Sequence, residues 1–420
     1  MTAPPATTSE LVHPRPLLRD TAFLRLWSGS TASGLATWAM PFVLGLAVLE
    51  SSLGPGGLGL VLATRTAGFL VAVPVGGVLA DRHSRRGVVR WSALAAAAAT
   101  PLIAVGLGRS LPLMAAAALV VGAGQGACRP AFQALTAEVV ADSRRQQANA
   151  ALSLSVRVTT LTAPALTALL ATVVGTGALL LGTAALWLAA GLVPPGGARD
   201  ASPASPDSPA GAGERAGMLR EFADGVREAR RHPWFLAGLA ALAAVITTGY
   251  SATGVVLPLV SRDRYGTEVV LALATTGYTA GALAGAVLMA RWRPRTLGWA
   301  ALAGLACYGF APLSLWLPSD AAFVVAAYAA AGLGIELFNV PWFTAIQREV
   351  EPRLLARVSS LDFLLSYGLA PAGLALIAPA VAAFGAGPVL AGCALVCFLA
   401  PAAAATVPTA RHFSRRPHAP

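Results

Sequence analysis

The chain contains repeated apolar stretches, each about as long as a lipid bilayer is thick. A helix needs roughly 20 apolar residues to cross the hydrocarbon core, and twelve such stretches can be recognised in the 420 residues. The predicted spans are 26–49, 57–80, 88–108, 113–137, 150–173, 177–195, 235–259, 269–290, 297–317, 321–345, 358–380 and 387–407. The sequence therefore predicts an all-α membrane protein with twelve transmembrane helices.

Composition argues against a soluble protein and against a nucleic-acid partner. Hydrophobic residues make up 56% of the chain and charged residues 12%, which is too apolar for an ordinary soluble domain. The net charge of +11 comes from 30 arginines, most of them in short segments between the apolar stretches. Because no continuous basic face results, we expect no nucleic-acid partner. We interpret the excess charge as an orientation signal and as contact with anionic membrane lipids.

The placement of arginine tests the span count independently. If the N-terminus is cytoplasmic, 24 of the 30 arginines fall in cytoplasmic segments, three in external segments and three within the spans. The positive-inside rule predicts this asymmetry, and an odd number of spans would remove it. The weakest boundary is the short connection at 174–176, where a merged or re-entrant element would change the count. We expect a multi-pass protein of the cytoplasmic membrane with both termini in the cytoplasm.

A segment rich in proline, glycine, alanine and serine divides the chain into two halves. This segment, residues 194–217, supports neither a packed core nor a helix and is predicted to be a cytoplasmic linker. Residues 1–193 would form an N-terminal six-helix bundle. Residues 218–420 would form an amphipathic helix on the inner membrane surface, followed by a C-terminal six-helix bundle. Two bundles related by an axis along the membrane normal are typical of one class of secondary transporter.

The loop after the second span carries a charged motif that resembles a family signature. It reads GVLADRHSRR over residues 77–86, and the major facilitator superfamily has Gly-x-Leu-Ala-Asp-Arg-x-Gly-Arg-Arg at this loop. Ser84 stands where that family usually has glycine, and a plain positively charged loop is the alternative interpretation. The matching residues are Gly77, Leu79, Ala80, Asp81, Arg82, Arg85 and Arg86. The resemblance implies two pseudo-symmetric six-helix bundles that carry a small solute by alternating access.

The same motif is predicted to form a gate at the cytoplasmic ends of the bundles. A glycine lets two helices approach, and a carboxylate can accept hydrogen bonds from a helix N-terminus. The arginines can pair with acids of the other bundle. Asp362, near the cytoplasmic end of span eleven, is expected to pair with Arg82 or Arg85. The predicted gate residues are Gly77, Asp81, Arg82, Arg85, Arg86 and Asp362.

Three further strings look like the branch of the family that includes macrolide and siderophore exporters. They cover residues 23–36, 122–140 and 339–373. Two departures weaken the antiporter pattern: the arginine of span four stands at Arg129, and span five keeps only Pro164 of a glycine- and proline-rich motif. We expect proton-coupled efflux of a small organic solute such as a drug, antibiotic or secondary metabolite. Proton-coupled uptake and a non-transporting sensor or scaffold on the same fold are the alternatives.

Ionisable residues inside predicted spans are functional candidates, because a charge in the membrane is costly. Arg129 in span four has Gln125 and Gln133 four residues to either side, which gives a polar stripe along one helix face. We expect this stripe to line the central cavity, with a structural ion pair as the alternative for Arg129. Arg157 in span five fits a cavity or a structural role equally. Arg65 in span two lacks such polar neighbours, so we interpret it as structural or as extending towards the membrane surface.

Glu336 is the acid that lies deepest in a predicted span. A low dielectric disfavours the charged form of a carboxyl group, so this side chain could load and release a proton. The alternative is a fixed salt bridge to Arg129 or Arg157, and both roles coexist if protonation breaks the bridge. Asn339 shares the face of Glu336 at helical spacing.

The remaining residues indicate no enzyme chemistry. Tyr250 and Trp38 are candidates for the cavity wall, although an aromatic side chain in a span more often serves packing. All five histidines fall in predicted cytoplasmic segments, and no lysine is available for a phosphate-binding loop. We expect no catalytic residues, no metal and no cofactor. The expected partners are a small-molecule substrate, protons and membrane lipids, and the protein is expected to be a monomer.

Overall fold

A computed structural model describes residues 17–196, 218–267 and 269–414, and the regular elements in these ranges are helical. The spanning helices of the first half are α1 (Thr21–Leu49), α2 (Pro55–Arg82), α3 (Arg85–Gly106), α4 (Leu111–Val139), α5 (Arg145–Ala171) and α6 (Thr176–Leu192). The second half contains α7 (Met218–Arg230), α8 (Pro233–Asp263), α9 (Val269–Arg291), α10 (Leu297–Trp316), α11 (Ala321–Glu349), α12 (Leu355–Phe384) and α13 (Ala386–Ala405).

The predicted twelve transmembrane helices are confirmed as α1–α6 and α8–α13. Among the described residues, ten helices are long and apolar enough to cross a membrane. Helix α12 has 30 residues, and α6 has 17, about 26 Å at the α-helical rise, which is close to the minimum for a span. Because α5 ends at Ala171 and α6 begins at Thr176, the connection between them is a true turn and not a merged element.

Two spanning helices contain irregular turns that the sequence analysis did not predict. Helix α8 has a π-helical segment, Val245–Tyr250, and α10 has a 3-10 turn, Cys307–Gly309. In α10 the turn precedes Pro312, which has no N–H to bond the carbonyl of Tyr308 four residues earlier. π-helical turns often occur at functional sites. The segment in α8 ends at Tyr250, which is one of the predicted cavity residues.

The two bundles repeat the same close helix crossing, although their sequences show little similarity. In the N-terminal bundle α2 lies against α4, and a Cβ on Gly122 would come within 1.9 Å of the Arg65 carbonyl oxygen. In the C-terminal bundle α9 lies against α11, and a Cβ on Gly332 would come within 1.9 Å of the Tyr278 carbonyl oxygen. Only glycine permits these contacts between backbones. The crossings therefore relate α2 to α9 and α4 to α11 as the pseudo-symmetric pairs.

The predicted amphipathic helix is present as α7, and it packs onto both bundles. Its Glu221 carboxylate lies 3.3 Å from Arg82 of α2 and 3.0 Å from Arg357 of α12. Helix α7 thus lies at the end of the molecule where the α2–α3, α4–α5, α9–α10 and α11–α12 connections are found, which we call the arginine-rich face. Residues 197–217 of the predicted linker lie outside the described residues, so the domain boundaries at 193 and 218 stay a prediction.

Candidate gate and transport site

Asp81 joins the two bundles at the arginine-rich face. It lies in the last turn of α2, and its two carboxylate oxygens accept hydrogen bonds from the backbone N–H groups of Ala356, at 3.1 Å, and Arg357, at 2.9 Å. These groups belong to the first turn of α12, where backbone N–H groups have no partner within the helix. Asp81 of one bundle therefore caps the N-terminus of a helix in the other, where the helix dipole also favours a negative charge.

Arg85 holds this contact together from the α3 side. Its guanidinium group lies 3.6 Å from the Asp81 carboxylate and 3.0 Å from that of Glu138 on α4. It also donates hydrogen bonds to the carbonyl oxygens of Ala134 and Pro352, and Pro352 belongs to the connection between α11 and α12. The side chain is only 1% exposed. Because both charges are buried, loss of either partner would leave the other without compensation.

The other predicted gate residues have different partners. Arg82 pairs with Glu221 of α7, while Arg86 donates to carbonyl oxygens at the end of α6, in its own bundle. The predicted pairing of Asp362 with Arg82 or Arg85 is wrong. The Asp362 carboxylate instead accepts a 2.9 Å hydrogen bond from the indole N–H of Trp342 within the C-terminal bundle.

Gly77 lies at a close approach of α2 and α12 at the gate. A Cβ at this position would come within 2.8 Å of both the Ala356 carbonyl oxygen and the Ser360 side chain. Contacts this short cannot form without moving one helix away from the other. The glycine is therefore a condition for the closed contact that Asp81 completes one turn later.

Replacing Gly77 with alanine is expected to disfavour the closed arrangement by about 1–3 kcal/mol, the usual cost of overpacking. The matched control is Gly45→Ala in α1, where an added Cβ would meet nothing within 4 Å. The measurement is the rate at which a cysteine introduced at Ser360 reacts with a soluble maleimide. Faster labelling in Gly77→Ala and unchanged labelling in Gly45→Ala are expected; equal rates in both would contradict the role given to Gly77.

A second contact between the bundles, made by uncharged polar groups, lies along α5 and α11. The Gln347 side-chain amide donates to the side-chain oxygens of Gln133, at 3.0 Å, and Asn149, at 3.3 Å. The Asn149 amide donates to Thr344 at 2.9 Å. Nearby, Gln146 donates to the carbonyl oxygens at the end of α9. Gln133, predicted to line the cavity, thus lies in a closed seam between the bundles.

Gln347 and Gln146 belong to this seam but were not predicted from the sequence. Both are uncharged polar residues near the ends of predicted spans, where such residues are common. The one indication in the sequence was that Gln347 lies near the helical face that carries Glu336 and Asn339. Nothing in the sequence related either glutamine to the other bundle.

An ion pair between Arg157 and Glu336 joins the bundles near the middle of α5 and α11. The Glu336 Oε1 atom accepts from Arg157 Nη2 at 2.6 Å and from Nε at 2.7 Å. The Glu336 side chain is 1% exposed and that of Arg157 is 21% exposed. The Arg157 guanidinium carbon also lies 5.8 Å from the centre of the Tyr278 ring, within the range of a cation–π contact. Of the two alternatives predicted for Glu336, the structure shows the salt bridge, with Arg157 as the partner.

The other oxygen of Glu336 is buried without a hydrogen-bond partner among the described residues. A charged carboxylate with one bare oxygen is poorly compensated in an apolar environment, because burial of an unpaired polar atom costs free energy. The ion pair with Arg157 therefore satisfies one Glu336 oxygen and leaves the other without a described donor.

Two arginines lie close together in the N-terminal bundle. Arg65 donates to the Gln125 side-chain oxygen at 2.7 Å and to the Thr37 carbonyl oxygen at 3.1 Å. Arg129 lies one turn farther along α4 than Gln125, and its positive charge acts on Arg65. The described hydrogen-bond partners of Arg65 are neutral oxygens, so the charge of this side chain is solvated without an acid.

The remaining predicted site residues lie on α1, α8 and α11. Asn339 on α11 and Trp38 on α1 are partly buried, and Tyr250 is 50% exposed at the end of the π-helical segment of α8. The described contacts give none of these three side chains a partner in the opposite bundle. Their roles in the cavity stay predictions.

Comparison with known proteins agrees with this architecture. The family model described as "Major Facilitator Superfamily" matches residues 26–373, while no relative was found among the curated proteins. The chain resembles a bacterial homologue of the iron transporter ferroportin in its outward-facing state, with a TM-score of 0.73 and 15% identity, covering 92% of this chain and 99% of that chain. It also resembles the human organic anion transporter MFSD10 (TETRAN), with a TM-score of 0.66 and 17% identity, covering 93% of this chain and 99% of that one. The chain is a membrane transporter that belongs to the Major Facilitator Superfamily.

Proposed function

We propose that the protein is a secondary active transporter that couples proton entry to the export of a small organic solute by alternating access. The solute is a drug, an antibiotic or a secondary metabolite, and the protein acts as a monomer. The observation that carries this proposal is the buried pair between Arg157 and Glu336, because it joins the two bundles and one of its members can be neutralised by a proton.

The pair offers a direct link between proton binding and movement of the bundles. Separating Arg157 from Glu336 would leave two opposite charges apart in a low dielectric, which is costly. Protonation of Glu336 removes one charge, so the separation becomes cheaper. A proton therefore favours the state in which the bundles have moved apart, by the difference between its affinities for the two states.

The orientation of the arginine-rich face is compatible with the proposed direction. The positive-inside rule assigns this face and both termini to the cytoplasm, and the contacts of Asp81, Arg85 and Gln347 close the molecule there. Glu336 in this state would take up a proton from outside. Opening of the inner face would then release the proton and admit the next solute.

The charges near the cavity favour a neutral, anionic or zwitterionic solute over a simple cation. Arg65 is solvated by neutral oxygens beside the second positive charge of Arg129, while the Glu336 charge is taken up by Arg157. An anionic group of the solute would supply the acid that Arg65 lacks among its described partners. The human structural neighbour is named an organic anion transporter, and this agrees with the proposed charge preference. Its resemblance to the chain, at 17% identity, is one of fold.

Solute accumulation tests the direction and the coupling together. Cells that express the protein should accumulate less of a transported compound than cells that lack it, and a proton uncoupler should abolish the difference. The compounds to screen are toxic organic molecules and metabolites, scored by growth of the expressing strain. Higher accumulation that the uncoupler abolishes would indicate uptake instead, and no difference for any compound would favour a sensor or scaffold.

A further inference from the structure

We propose that the seam between the two bundles at the arginine-rich face binds the headgroup of an anionic phospholipid. A pocket of about 230 Å³ opens at this seam. It is lined by Asp142, Ser143, Arg145 and Gln146 of the N-terminal bundle and by Arg293, Leu297, Thr344 and Arg348 of the C-terminal bundle. The site lies at the α5–α9 side of the molecule, away from the contact that Asp81 makes with α12.

The pocket carries an excess of positive charge. Three arginines line it, and the acids beside them are Asp142, 2.7 Å from Arg145, and Glu349, 2.9 Å from Arg348. Arg293 has no ion pair among the described residues, and its one described bond goes to the Ser143 carbonyl oxygen at 3.0 Å. A guanidinium group that bonds a single carbonyl retains donors for a phosphate group.

An apolar groove on α9 ends at Trp292, the residue before Arg293 of the pocket. It has a volume of about 630 Å³ and begins with aliphatic residues of the spanning helix. Its lining residues are Leu283, Ala284, Val287, Leu288, Arg291 and Trp292. Val287 is 50% exposed and Leu288 is 41% exposed, so this face of a spanning helix meets lipid chains. Trp292, at the end of the groove, belongs to the residue type enriched at the depth of lipid headgroups.

Groove and pocket together have the shape and polarity of a phospholipid. Arg291 and Trp292 line the groove, and Arg293, the next residue, lines the pocket, so an acyl chain in the groove would end beside the proposed headgroup site. Polybasic segments at this depth attract anionic lipids with about 1 kcal/mol for each arginine. A free phosphate ion would gain the charge contacts but not the contacts of the acyl chain.

The bound lipid would also favour one state of the transporter. The pocket has walls from both bundles, and the bond of Arg293 to Ser143 crosses between them. Opening of this face would separate those walls. A headgroup that contacts both walls binds only the closed arrangement tightly, so it shifts the population towards that state.

The test measures lipid binding to the purified full-length protein by native mass spectrometry. The protein is titrated with phosphatidylglycerol and, separately, with phosphatidylcholine. Phosphatidylglycerol should bind more tightly. Arg293→Gln should weaken its binding about fivefold, and Arg291→Gln with Arg293→Gln about 25-fold. The matched control is Arg353→Gln, which removes an exposed arginine of the same face that pairs with Glu351. This variant should bind phosphatidylglycerol as tightly as the unchanged protein.

Three results would overturn the proposal. Equal affinity for the two lipids would show that the headgroup charge is not read. Equal weakening in Arg353→Gln would show a general effect of surface charge. Displacement of phosphatidylglycerol by inorganic phosphate would show a site for free anions and not for a lipid. Both substituted arginines are exposed, and a size-exclusion profile identical to that of the unchanged protein confirms that the fold is intact.

Discussion

Glu336→Gln is expected to abolish solute movement driven by a proton gradient, to the level of protein-free liposomes, and to preserve exchange of solute at equilibrium. Glutamine keeps the shape and one accepting oxygen for Arg157, but it cannot take up and release a proton. Exchange requires only that the solute crosses with the moving bundles. Net proton-driven transport requires in addition that the charge at this position changes, so only the second activity depends on the carboxyl group.

The measurement compares two assays of the purified protein in liposomes: uptake driven by an imposed pH difference, and counterflow of labelled against unlabelled solute. Glu351→Gln is the matched control, because it removes the charge of an acid that is 43% exposed and pairs with Arg353 at the surface. It should leave both assays unchanged.

A second variant distinguishes a loss of coupling from a loss of folding. Glu336→Gln leaves the Arg157 charge without its partner, and loss of one member of a buried pair can cost about 3–5 kcal/mol. The double variant with Arg157→Gln removes both charges and avoids that penalty. It should recover folding but not proton-driven transport. Full proton-driven transport in either variant would remove Glu336 from the coupling mechanism.

Asp81→Asn is expected to open the arginine-rich face. The change removes the charge that caps α12 and leaves Arg85 buried beside a neutral amide, with Glu138 as its described acidic partner. If the loss approaches the lower end of the cost for a broken buried pair, about 3 kcal/mol, the ratio of closed to open molecules falls on the order of a hundredfold. The closed state would then cease to dominate.

The distance between spin labels across the gate measures this change. Suitable positions are His83, after α2, and Arg353, before α12, both exposed and outside the capping contact. The native cysteines are first replaced. A population at longer distance should appear in Asp81→Asn. The matched control is Asp224→Asn on α7, whose partner Arg227 lies on the same helix, and it should keep the original distribution.

An unchanged distribution in Asp81→Asn would contradict the gating role of this contact. The polar seam formed by Gln347, Gln133 and Asn149 would then be sufficient to keep the face closed. Replacing Gln347 with leucine in the same labelled background distinguishes the two contacts, because it removes the donor that joins the bundles along α5 and α11.

The sequence by itself determined the twelve spans and the residues that can carry charge chemistry within them. Hydrophobicity is a property of each segment alone, and a bilayer requires the same length of every segment. The turn at 174–176 was therefore predicted correctly, although the helix after it, α6, has only 17 residues. The motif around Asp81 also indicated a contact between helices, because the N-terminus of a helix stabilises a nearby carboxylate.

Only the tertiary structure decided which partners these residues have. Helical periodicity states which residues share a face, but not which helix that face meets. Arg157, and not Arg129, is the described partner of Glu336 because α5 crosses α11 at that height. Asp362 bonds Trp342, while α7 supplies Glu221 to Arg82. These pairings depend on the rotation and relative height of helices set by packing between the bundles, and a segment read alone contains no record of either.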